Sequence, residues 1–162
     1  MTTSDYFLAN RREIAKVCRG WASDGDDASE DATSHVEYAH LPWVDLEPID
    51  MIPLANLASA LSGVQTDIDE LVEYLTGPED CEQMVGRLPQ GFVDTLANQT
   101  DTALRALRDR WSVLQVADAR AGAERQLASE RAAAALPMLI SLRELARQAV
   151  DTNREMYVLW AP

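Results

Sequence analysis

The chain has 162 residues, 47% apolar and 25% charged, with a formal net charge of -13. That length supports one domain with a real core, the apolar share excludes a disordered composition, and the acidity excludes direct nucleic-acid binding, because phosphate contacts need clustered Lys and Arg. The charge is also uneven: residues 20 to 86 hold nine aspartates and seven glutamates with no lysine or arginine, so the remainder sums to about +3.

Asp5 to Leu8 has aromatic weight and no helical period, which predicts a short strand or extended arm. Asn10 and Glu13 fit a capping box, and Ile14, Val17, Cys18 and Trp21 follow at helical spacing until Gly20 and Ser23. Residues 23 to 34 are small, polar and acidic and read as a mobile loop. A calcium-loop register starting at Asp24 fails there, since Ser29 stands where Gly is required and His35 where Glu is required. Residues 35 to 43 alternate as a strand would, which puts His35 and His40 on opposite faces and prevents their convergence on one metal with Glu37.

Pro42 and Pro48 predict a loop from Leu41 to Pro48. Asp50 is the expected cap of a helix with Ile52, Leu54, Leu57, Ala58 and Leu61 inward, Pro53 tolerated in its first turn, and Gly63 as its stop. Thr66 is the expected cap of the next, with Ile68, Leu71, Val72 and Leu75 inward and Gly77-Pro78 at its end. Asp69 and Glu73 would then be like charges four apart, costing about 0.2 to 0.5 kcal/mol, with no cation in the segment to relieve them. Met84-Val85 suggests a short strand, Phe92 to Asn98 a brief helix, and Asp101 the start of a stronger one carrying Leu104, Leu107, Trp111 and Leu114. After a turn near Gly122, a long helix from Glu124 to Val150, with Leu127, Leu136, Leu139, Leu142, Leu145 and Ala149 near one stripe and Asp151-Thr152-Asn153 as its stop, should be kinked or split by Pro137. Met156 to Trp160 is β-branched and aromatic and needs strand partners, for which residues 5–8, 36–41 and 83–88 are the candidates. The expected architecture is α+β: a mostly helical single domain, 1–162, with a small mixed sheet that includes the C-terminal strand.

The landmarks Ser4-Asp5-Tyr6-Phe7, Leu46-Glu47-Pro48-Ile49-Asp50, Arg110-Trp111 and Met156-Tyr157-Val158-Leu159-Trp160 resemble those of a family of small acidic uncharacterised proteins of actinobacteria and their phages. The resemblance implies a shared fold along most of the chain and no established activity.

Motifs for dinucleotide or phosphate binding, the serine nucleophile elbow and the HExxH zinc motif are absent. Cys18 and Cys81 lack metal or disulfide spacing, and no cofactor or metal is expected. Met1 to Lys16 lacks a signal-peptide pattern, and the longest apolar run, Ala132 to Ile140, is too short for a bilayer, so a cytoplasmic location without membrane contact is expected. Trp21, Trp111 and Trp160 sit in apolar patterns, whereas Trp43 lies in a Pro-flanked acidic stretch and fits an exposed interface anchor.

The resulting expectation is a non-catalytic partner-binding protein. An immunity or inhibitor-type protein would neutralise a basic toxin or host protein, DNA mimicry being a special case, through Trp43, Asp45, Glu47, Asp67, Asp69, Glu70 and Glu73. An enzyme or small-ligand domain with a non-sequential site is one alternative. A structural subunit, a homo-oligomer through the helices of residues 101 to 150, is the other.

Overall fold

A computed structural model describes residues 3–23, 40–46, 49, 51–75, 84–119 and 122–161. They form, in order, β1 (Thr3–Ala9), α1 (Arg11–Ser23), β2 (Trp43–Asp45), α2 (Met51–Ser62), α3 (Ile68–Leu71), β3 (Glu73–Tyr74), β4 (Met84–Arg87), α4 (Gln90–Ala97), α5 (Asp101–Asp118), α6 (Ala123–Ala134), α7 (Leu136–Thr152) and β5 (Glu155–Ala161). Most of the acidic loop, the histidine-bearing stretch up to residue 39, Glu47, Asp50 and Cys81 lie outside the described residues.

The two ends of the chain build the middle of the sheet. β1 and β5 pair over seven residues each, from Thr3 opposite Ala161 to Ala9 opposite Glu155, within the strand order β2-β1-β5-β4-β3. The fold is α+β as the sequence implies, but the sheet is antiparallel at every pairing rather than mixed. Parallel neighbours need a crossover, whereas here the connections joining neighbouring strands, including those that carry α1 or α4 to α7, return the chain antiparallel.

Strand alternation sends side chains to two cores. Tyr6, Leu8, Met156, Val158 and Trp160 pack on one face with Leu54 and Leu57 of α2, Leu96 of α4, Leu107 and Trp111 of α5 and Leu142 of α7. Phe7, Val85, Tyr157 and Leu159 pack on the other with Ile14 and Val17 of α1. Among the described residues the result is three layers: α1, the sheet, and a helical layer to which α2, α3, α4, α5 and α7 contribute core side chains.

Several local signals act as the sequence implies. Asn10 Oδ1 accepts from the backbone N–H of Arg12 and Glu13 at 2.9 and 3.0 Å, while the Asn10 N–H donates back to Glu13 Oε2 at 2.8 Å. Gly63 has φ of 77° just beyond α2, and Asn153, at φ of 51°, closes α7 in the left-handed region. The break at Ala135, with Pro137 in the first turn of α7, splits the expected long helix. Thr100 caps α5 by accepting from the Ala103 N–H.

Four expectations are corrected. Trp43 to Asp45 is strand β2 rather than loop, because Pro42 precedes the strand and its carbonyl, not its missing N–H, meets the Leu8 N–H at 2.9 Å. Ile52 is 64% exposed, since it lies about 200° round the helix from Leu54. Leu127 is also exposed, because the split at Ala135 ends the continuous apolar stripe. The helix after Gly63 is not capped by Thr66, whose N–H instead donates to Ser59 Oγ, and it stops at Leu71. Val72 turns extended, and Glu73 and Tyr74 pair with β4, so Asp69 and Glu73 do not share a helix face. No described helix is long and apolar enough to cross a membrane.

Candidate functional site

The turn from α3 into β3 decides where the acidic residues go. Gly86 of β4 allows it: a Cβ there would stand 2.0 Å from Val72 Cγ1 and 3.3 Å from the Trp160 ring. With hydrogen alone at Gly86, Val72 lies flat on β4 and β3 becomes the last strand of the sheet.

Glu73 and Arg87 then face each other across the ladder. The Arg87 guanidinium donates to Glu73 Oε2 through Nε at 3.0 Å and also through Nη2, and to Glu155 Oε1 through Nη1 at 2.9 Å. Glu155 in turn accepts from the Tyr157 hydroxyl at 2.6 Å. That hydroxyl, and then Arg87, hold the Glu155 carboxyl below the usual carboxylate range against the opposing effect of burial. Burial, reinforced by Glu155, pushes the Tyr157 phenol up, so it stays a donor near neutral pH. Glu73, ahead of Glu155, raises Arg87 further. Beside this chain, Tyr74 donates to Asp69 Oδ1 at 3.2 Å, and burial followed by Asp69 raises its phenol too.

Asp69, Glu70, Glu73 and Glu155 line an open hollow of about 580 Å³, in whose wall Arg87 is the single cation. A second, apolar hollow of about 220 Å³ lies between α2, α3 and α4, walled by Ala58, Leu61 and Phe92; Leu71 and Pro89 line both hollows. Asp67 is exposed at the entry to α3, and its side chain makes no capping bond.

Of the residues singled out in the sequence, Asp67, Asp69, Glu70 and Glu73 come together at this edge. Trp43 and Asp45 do not: they lie on β2, at the opposite edge of the sheet, four strand spacings or about 19 Å away. Trp43 is 44% exposed, as expected of an anchor, and lines a separate hollow of about 370 Å³ with Ile140 and Leu145 of α7. Trp111 and Trp160 are core residues. Sequence reasoning missed Arg87, Glu155 and Tyr157. Arg87 is the first cation after the acidic segment, which was the available signal, but its link to Glu155 spans 68 positions. His40 is exposed and Cys18 is half-buried on α1; among the described residues, no three His, Cys, Asp or Glu side chains are placed to hold a metal.

The arrangement defines an α+β protein with an acidic sheet edge. No family model and no curated protein matches the chain. Among solved structures it is similar to YfbM from Escherichia coli, described as a protein of unknown function, with a TM-score of 0.53, 11% identity, and 98% of this chain and 99% of that chain covered. At that identity the likeness carries the fold and no activity.

Proposed function

We propose that this is a non-catalytic, cytoplasmic partner-binding protein of the immunity or inhibitor type, which neutralises a basic protein through the acidic edge formed by α3 and β3. The observation that carries the reading is the gathering of Asp67, Asp69, Glu70 and Glu73 at one edge, where the hollow's lining has four carboxylates to one guanidinium. A field of one sign steers a cationic partner to fast encounter, and a desolvated cluster then sets affinity. Arg87 is already engaged by Glu73 and Glu155, which leaves Asp69 and Glu70 facing outward.

The chemistry of the hollow supports binding over catalysis. A carboxylic general acid needs its pKa raised by an apolar setting, and Glu155 is displaced downward by the Tyr157 hydroxyl and Arg87. The test is affinity capture of the partner followed by titration at low and high salt with three proteins: wild type, Asp69→Arg with Glu70→Arg, and Trp43→Ala. The reading expects a basic partner that salt releases and the double reversal rejects, with Trp43→Ala binding as wild type does. A partner indifferent to both salt and the double reversal would contradict it.

A further inference from the structure

The apolar hollow shares a wall with the acidic one, and that junction says what chemistry suits both. A space of about 220 Å³ lies between Ala58, Leu61 and Phe92, and Leu71 and Pro89 divide it from the carboxylates Asp69, Glu70 and Glu73. An apolar cavity of about 150 Å³ is enough to hold a benzene ring. Charge complementarity fixes the flank: whatever chain fills the trough must run beside three carboxylates, with Arg87 of this protein already engaged by Glu73 and Glu155.

We infer that the pair of hollows is a docking groove for a segment of a basic protein in which one leucine- or phenylalanine-sized side chain lies beside arginine or lysine. The apolar side chain enters between α2 and α4, and the neighbouring cation sits on Asp69 and Glu70. The inference rests on the acidic-edge reading above and adds the anchor which that reading lacks, since the exposed Trp43 is on the far edge of the sheet. Asp69 retains acceptor capacity for the cation, because Tyr74 supplies one hydrogen bond to a group that accepts several.

Gly91 makes the groove testable without damage to the core. It stands on the wall of the apolar hollow in the first turn of α4, and a Cβ built there meets no atom within 4 Å. Gly91→Trp therefore places a large side chain at the open side of the hollow without a clash at its Cβ, and is expected to obstruct it. The probes are three short capped peptides: one with a single leucine between arginines, one with serine in place of that leucine, and one with glutamates in place of the arginines. Each is titrated into the full-length, isotope-labelled protein while backbone amide shifts are followed.

The arginine–leucine peptide is expected to move amides of residues 67–75 and 90–95 together. The serine peptide should bind about tenfold more weakly, the scale set by burying one aliphatic side chain, and the glutamate peptide should not bind. Gly91→Trp should reproduce the serine effect with an unchanged Tm, and Asp69→Arg with Glu70→Arg should remove binding. If the arginine–leucine peptide binds but neither the serine exchange nor Gly91→Trp weakens it, the apolar hollow takes no part and the inference fails while the acidic-edge reading stands. If no basic peptide moves any amide, both fail. A free protein that is dimeric and is made monomeric by Gly91→Trp would also overturn the inference, because a second copy would then occupy the groove.

Discussion

Arginines of the helical layer and carboxylates of the sheet edge are used in opposite ways. Arg143 is only 6% exposed and donates to the Gln99 carbonyl at 3.2 Å and to Asp101 Oδ1 at 2.6 Å. Arg147 donates to the carbonyls of Ala97 and Gln99, and Arg110 to that of Ala60. Each therefore supplies donors where α4 or α2 runs out of its own, and the cations hold the helices in place. At the sheet edge, Asp69 has a tyrosine hydroxyl, and Asp67 and Glu70 make no ion pair with a described cation. Charge that knits a fold together is paired and partly buried; charge kept outward at an edge is available to another molecule.

That contrast can be broken from either side. The largest effect is expected at Gly86, on which the edge depends: Gly86→Ala drives a methyl into the stiff, β-branched Val72 and should cost about 3 kcal/mol, read as a fall in the urea midpoint. Next comes Arg143→Ala, which removes a buried guanidinium and one of the two donors, beside Arg147, to the part-buried Gln99 carbonyl and should cost about 2 kcal/mol. Arg143 holds the Asp101 carboxyl below its ordinary value. A depressed folded-state pKa stabilises at neutral pH and loses that contribution as pH falls through it, so the Arg143→Ala penalty should shrink below about pH 4. Denaturation at neutral and acid pH checks this.

Tyr157→Phe removes the hydroxyl that contributes most to lowering Glu155 and should cost about 1 kcal/mol at neutral pH. The Glu155 titration, followed by carboxyl NMR, should move upward, and the stability difference from wild type should fade as pH drops through the wild-type value. The smallest effect on stability belongs to Asp69→Arg with Glu70→Arg, within about 0.5 kcal/mol because both side chains face water.

Elements defined by neighbours in sequence were legible in it. The Asn10–Glu13 box, the Gly63 and Asn153 stops, the Pro137 break and the apolar β5 all act over a few residues, and each lies where its pattern puts it. The misread segments are those settled by distant partners. Ile68 to Leu75 has helical periodicity, yet contact of Val72 with Gly86 and pairing of Glu73 with Arg87 draw its second half into the sheet. Trp43 to Asp45 becomes a strand only because β1 offers an open edge. For the candidate site, the acidic positions were visible as composition, while the cluster of Arg87, Glu155 and Tyr157 is assembled by strand order and has no linear signature.

The most direct measurement of the central claim is the affinity of the captured partner for wild type and for Asp69→Arg with Glu70→Arg, by calorimetry at low and high salt. The account predicts at least about a tenfold loss in the variant, equal to about 1.4 kcal/mol, with a shallower salt dependence and an unchanged Tm. Equal affinities and equal salt dependence in the two proteins would contradict it.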